Sequence, residues 1–319
     1  MKQIIKRWLT NGNALRDYYP VANIDYNSHV KVIAYLPKGV NLNVTNQQWT
    51  LAYNPIVIGI LLPKALESEL RKVVIRLEYQ WNSGSNNVQS DKLSEVELQY
   101  KATLDVSLHD SVVILFKATH ARNFHLSLLR RSILLHRLYM LSKKREKYLD
   151  TLPFDLYKQY VAQFTYPRKV MMIAVEHENG PYFFPVDLQG RVSSFYFFGL
   201  RHSNRIIKVL QLIRKVVICF VPASEYKTLY YLGKFSKESK ETQIAFTRSS
   251  TLGFQIPEFV SGYYEIELIN DHNIGSQQLF VGKITNELKP SPDSIFLYHV
   301  HMLQILAAEE KNQPYTLLV

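Results

Sequence analysis

Between Tyr166 and Ile284 the chain alternates short apolar runs with turn-forming residues, so that strand, hairpin, strand, helix, strand and a second hairpin follow one another. Val170 to Val175 is wholly apolar, and Glu176-His177-Glu178-Asn179-Gly180 turns it back, Asn179-Gly180 accepting the positive φ angles of a tight hairpin. Pro181 to Val186 is the expected return strand. Ser194 to Leu200 is an aromatic strand, and Arg201-His202-Ser203-Asn204-Arg205 leads from it into an amphipathic helix with Ile206, Ile207, Leu210 and Ile213 on one face. Tyr263 to Ile269 and Gln278 to Ile284 then form a late hairpin around Gly275-Ser276-Gln277. A chain so punctuated is confined to a mainly β fold.

The first part follows the same rule. Val30–Tyr35, Val73–Trp81, Val96–Ala102 and Val112–Phe116 are β-like runs, with a loose hairpin loop at 82–87, and they predict an antiparallel sheet or sandwich over residues 1–120. From Asn123 to Leu149 there is no Gly or Pro, many Leu and a cluster of Lys and Arg. This predicts a long basic helix, assigned to 121–150, whose wide apolar surface is mostly covered by protein. Residues 151–319 make up the second β domain.

An apolar fraction of 47% against 20% charged residues is that of a folded globular protein. Met1-Lys2-Gln3-Ile4-Ile5-Lys6-Arg7-Trp8 does not read as a signal peptide, and the most apolar run, Ile56 to Leu62, is far short of the roughly 20 residues that span a bilayer. Cys219 is the sole cysteine and lies among apolar neighbours, which favours a buried, inert thiol and a cytoplasmic location. The net charge of +11 draws anions without choosing among phosphate cofactors, nucleic acid and lipid. No nucleic-acid motif accompanies the basic helix, so nucleic acid is not the expected partner.

The richest chemical feature is the start of the helix after the aromatic strand. Ser203 or Asn204 can cap it, and Arg201, Arg205 and Lys208 crowd the free amides there, a natural seat for a phosphate. His299 and His301 share a strand face but lack a third ligand, so no metal site is expected; His272 reads as a turn residue.

The runs Tyr166–Val175, Gly180–Val186 and Gly275–Ile284 together resemble the flavin reductase-like family, whose fold is an FMN-binding split β-barrel. The resemblance implies FMN as cofactor, NADH or NADPH as co-substrate, hydride transfer between nicotinamide and flavin, and a homodimer with flavin near its interface. It implies that Phe184, Pro185, Val186 and Asp187 lie along the isoalloxazine edge. Arg201, His202, Ser203, Asn204, Arg205 and Lys208 are then expected around the ribityl phosphate. The flavin carries the redox chemistry in such proteins, so no catalytic side chain is assigned. Where similar proteins have Ser after the Pro-Val pair this chain has Asp187, a carboxylate expected to disfavour reduction of a ring that becomes anionic. Ile206 and Ser276-Gln277 also replace polar positions of the family. These departures favour an alternative, a non-catalytic split barrel that holds FMN, another planar ligand or none and acts as an interaction module.

Overall fold

The computed structural model describes residues 7–23, 30–81, 92–106, 108–145, 152–178, 180–234 and 244–318. The loop expected at 82–87, most of the N-terminal segment, the end of the basic helix past Arg145 and Asn179 lie outside these residues. The fold is mostly β, built on curled antiparallel sheets that form half-barrels.

The first half-barrel contains β2 (Val30–Tyr35), β3 (Asn41–Asn43), β4 (Gln48–Tyr53), β5 (Ile56–Pro63), β6 (Val74–Trp81), β7 (Lys92–Leu104) and β8 (Ser111–Asn123), with β1 (Tyr18–Asn23) preceding it. Two helices follow, α1 (Leu128–Arg145) and α2 (Phe154–Gln163). The second half-barrel contains β9 (Met171–Val175), β10 (Tyr182–Val186), β11 (Gln189–Val192), β12 (Phe195–Arg201), α3 (Ile206–Ile213), β13 (Lys215–Phe220), α4 (Tyr226–Lys234), β14 (Gly262–Asn273) and β15 (Gln277–Leu288). The chain closes with β16 (Phe296–His301) and α5 (Met302–Glu310).

Strand order in the first sheet is β3-β2-β6-β7-β8-β5-β4, and in the second β10-β9-β13-β14-β15-β12-β11. Adding seven to each number of the first gives the second. Every neighbouring pair in both is antiparallel. The N-terminal region is therefore a second copy of the same strand plan, which no residue pattern had disclosed.

The copies face each other across an apolar seam. In β5, Ile58, Ile60 and Leu62 point into the first core, whereas Val57 joins Leu51, Leu104 and Leu115 at the seam. In β12, Tyr196, Phe198 and Leu200 fill the second core, and Phe197 turns to the seam beside Leu279 and Val281. A strand buried on both faces reads as a continuous apolar run, which explains Ile56–Leu62. Phe197 is fully buried. Burying one such side chain stabilises by roughly 1.5–3 kcal/mol, so a seam of several holds the halves as one body.

Segments from both sides of the boundaries expected at 120 and 150 pack against one another. β1 pairs with β16 along Tyr18↔His301 to Asn23↔Phe296, tying the two ends of the chain together. Tyr157, Val161 and Ala162 of α2 and Met302, Leu303 and Leu306 of α5 complete the core of the first half-barrel. The basic segment is also corrected: β8 runs to Asn123, and the helix begins only at Leu128. It buries a narrow stripe, Arg130, Leu134, Leu135, Leu138 and Tyr139, at the i, i+4 spacing of one helix face. Leu128 and Leu129 stay 71% and 66% exposed, so protein does not cover most of its surface.

Candidate functional site

A cleft of about 680 Å³ opens where the two half-barrels meet. The first half lends Tyr53 and Asn54 from the β4–β5 turn, and Tyr18 of β1 and Tyr157 and Tyr160 of α2 join them. Facing these are Pro185, Val186 and Asp187 at the end of β10, Arg201, His202 and Ser203 at the exit of β12, Tyr230 of α4, Ser276 and Gln277, and His299 of β16.

The structure thus brings six of the ten expected binding residues to one cleft wall: Pro185, Val186, Asp187, Arg201, His202 and Ser203. Phe184, Asn204, Arg205 and Lys208 do not line it. Phe184 packs against the second core, and Asn204 Oδ1 accepts the Ile206 N–H at 3.1 Å, so Asn204 and not Ser203 caps α3. Ser203 is left exposed on the cleft.

The turn at Gly275-Ser276-Gln277 fastens the halves together. Ser276 N–H donates to Asn54 O at 2.7 Å, Asn54 N–H donates to Ser276 Oγ at 3.0 Å, and Tyr53 N–H donates to Gln277 Oε1 at 3.0 Å. On the other side, His202 Nε2 lies 2.8 Å from Gly275 O. The polar residues that depart from the family pattern are thus engaged in holding the β4–β5 turn against the cleft. His272 lies in β14, paired with Leu279, rather than in the turn.

Asp187 is the centre of a charged network. Its Oδ2 accepts from Arg168 at 2.6 Å and from His299 Nδ1 at 2.6 Å, and Tyr53 Oη lies 3.4 Å from Oδ1. Burial alone would raise its pKa, but the Arg168 charge and the bonds from His299 and Tyr53 outweigh that and hold it well below the usual carboxylate range. Arg168 also donates to Tyr53 Oη at 3.3 Å, and its guanidinium lies 3.5 Å from the centre of the Phe164 ring. Arg201 sits over the Tyr53 ring at 5.6 Å, inside the reach of a cation–π contact. The carboxylate of Asp187, expected beside a bound ring, carries the Arg168 guanidinium as its ion-pair partner.

His299 Nε2 is hydrogen-bonded to Tyr230 Oη, and the Tyr18 ring lies 4.5 Å from the imidazole. Burial lowers the His299 pKa, Asp187 opposing, and burial raises that of Tyr230. His301 serves the core instead, its Nδ1 accepting the Leu303 N–H at the start of α5. Among the described residues no group of three His, Cys, Asp or Glu is placed to hold a metal ion. Cys219 is fully buried, its thiol pushed up by desolvation. Arg168, Tyr53, Tyr230 and Tyr18 were not singled out from the sequence. A charge of each sign inside two apolar strand runs, Arg168 and Asp187, was the available signal for the first.

No family model and no curated protein matches the chain. Solved structures do. An FMN-binding protein from Thermus thermophilus, with bound p-hydroxybenzaldehyde, is 22% identical over 43% of this chain and 84% of its own, at a TM-score of 0.37. The styrene monooxygenase flavin reductase of Pseudomonas putida S12 is 14% identical over 43% of this chain and 95% of its own, at 0.38. An NADH:FAD oxidoreductase of Streptomyces globisporus, in complex with NAD and FAD fragments, is 12% identical over 46% and 90%, at 0.40. These neighbours are FMN-binding proteins and flavin reductases. Among the described residues no helix is long and apolar enough to cross a membrane.

Proposed function

We propose that the chain is a flavoprotein that holds FMN in the cleft between its half-barrels and exchanges hydride between NADH or NADPH and that flavin. The observation that carries this reading is the convergence of a cationic end, Arg201-His202-Ser203, with an apolar wall at Pro185-Val186 and the rings of Tyr53, Tyr157 and Tyr160 in one cavity. Its 680 Å³ falls within the roughly 300–1,000 Å³ of cofactor sites. The residues present fit the group: Arg201, His202 and Ser203 would meet the phosphate, and Pro185 and Val186 the ring. Bound flavin supplies the hydride chemistry, while the protein positions it and limits water. The Arg168 partner of Asp187 removes the electrostatic objection to a reduced ring.

Charge-assisted contacts to phosphate are worth about 1.5–3 kcal/mol each. Arg201→Ala with Ser203→Ala is therefore expected to weaken FMN binding by roughly 100-fold or more, read by quenching of flavin fluorescence. Unchanged affinity removes the proposed seat. Colour in the purified protein with no oxidation of NADH or NADPH would favour the non-catalytic alternative.

The family resemblance implied a homodimer with flavin near its interface, whereas in this chain two half-barrels flank the cleft by themselves. One chain completes the cleft, and the expected result is one FMN per chain in a monomeric fraction isolated by size and measured by light scattering. Flavin found only on a dimer would reinstate the homodimer and overturn this expectation.

A further inference from the structure

Flavin chemistry with a nicotinamide asks for no acid or base from the protein, yet the cleft wall carries an ordered one. Ionised Asp187 only accepts hydrogen bonds, so the proton between it and His299 belongs to Nδ1. The bonding pattern then makes Nε2 an acceptor and Tyr230 Oη its donor. With its own proton committed to His299, Tyr230 offers lone pairs to whatever lies in the cleft it lines. A ligand meeting that oxygen must donate.

We propose that Asp187, His299 and Tyr230 form a proton relay that ionises an acidic hydroxyl, phenolic or enolic, on a planar organic co-substrate held in the cleft. The ligand O–H bond breaks as its proton passes to Tyr230 Oη, and the Tyr230 proton passes to His299 Nε2. The ligand is left as an oxyanion, Tyr230 is neutral again, and the imidazolium rests against Asp187. No electrons change hands in this step. The Arg168–Asp187 pair is neutral beforehand, so the new charge on His299 balances the oxyanion. Tyr18, Tyr53, Tyr157, Tyr160 and Tyr230 line the same cavity and suit a flat aromatic body. The inference rests on the flavin reading only in needing a redox partner for the ionised ligand; the relay itself belongs to the chain.

The groups facing His299 are Asp187, Arg168, Tyr18 and Tyr230. Burial and Arg168 disfavour the imidazolium while Asp187 favours it, with a net lowering of the His299 pKa, and the contacts of Nδ1 with Asp187 and Nε2 with Tyr230 set the ring to accept at Nε2. Once His299 is protonated, as the pH falls through its lowered pKa, the relay is blocked.

The test uses 4-nitrophenol, whose phenolate is yellow and whose phenol is not, titrated against the protein below the pKa of the free probe. Wild-type protein is expected to bind it as phenolate, with the apparent pKa of the bound probe lowered by about one unit, a tenfold shift in the ratio of forms. Tyr230→Phe keeps the ring, and His299→Gln removes the final acceptor; both, with circular dichroism unchanged, are expected to bind the probe as neutral phenol. The wild-type shift should fade at acid pH. Absence of binding, binding of the neutral form by wild type, or a shift that survives Tyr230→Phe overturns the relay. FMN affinity is measured on the same samples. FMN binding without probe ionisation fails the relay alone, and ionisation without FMN binding fails the flavin reading alone.

Discussion

Asp187→Ala is expected to lower folding stability by about 3–5 kcal/mol, because it leaves the Arg168 guanidinium buried without its carboxylate. The measurement is the midpoint of urea unfolding at constant slope. Removing both charges, as Asp187→Ala with Arg168→Met, should recover much of the loss, since a pair replaced by apolar groups leaves no orphaned ion. A double variant no more stable than the single one would show that Arg168 was not the injured partner. The pH dependence follows from the depressed pKa of Asp187. Its contribution is fully present above the unfolded carboxylate pKa of about 3.9 and is lost as the pH falls towards and through its lower folded value. Wild type should therefore lose its advantage over Asp187→Ala on acidification, and a gap that widens in acid would sink the assignment.

How much of this could be seen beforehand differs between sheet and site. Apolar runs and turn formers placed the strands well, because period and punctuation are local properties. What they hid was the relation between runs. The second set of strands repeats the plan of the first without an evident repeat of residues, since a half-barrel demands apolar pairs at strand positions and little else. Arg201 to Ser203 were legible because a strand exit ahead of a helix start is itself local. Tyr53 was not, for it reaches the cleft from the other copy. The partners of Asp187 were hidden for the same reason: they stand 19 residues away at Arg168 and 112 away at His299, joined only once β16 lies between β1 and the Arg168–Lys169 segment. The basic helix failed differently. Its many Leu residues predicted a wide covered surface, whereas Leu128 and Leu129 project beyond the stripe that α1 presses on the core.

Gly275→Ala is expected to cost about 2–5 kcal/mol and, unlike an ordinary destabilising change, to cut FMN affinity in the protein that remains folded. Gly275 has φ +109°, a conformation that a residue with Cβ adopts only under strain, and an added Cβ would fall 2.5 Å from Asn54 O. That oxygen accepts the Ser276 N–H, and the Asn54 and Tyr53 amides donate into the same turn. Pushing the turn away threatens three bonds worth about 0.5–1.5 kcal/mol each, on top of the backbone strain. It also moves Tyr53 relative to Arg201, whose contact spans the two copies. Gly253→Ala is the control: its φ is +70°, but nothing stands within 4 Å of an added Cβ, so it should incur strain without disturbing the seam. Thermal melts and flavin titrations on both variants separate the two effects. If Gly275→Ala and Gly253→Ala bind FMN alike, the junction between the half-barrels does not shape the cleft, and the first copy is present for stability alone.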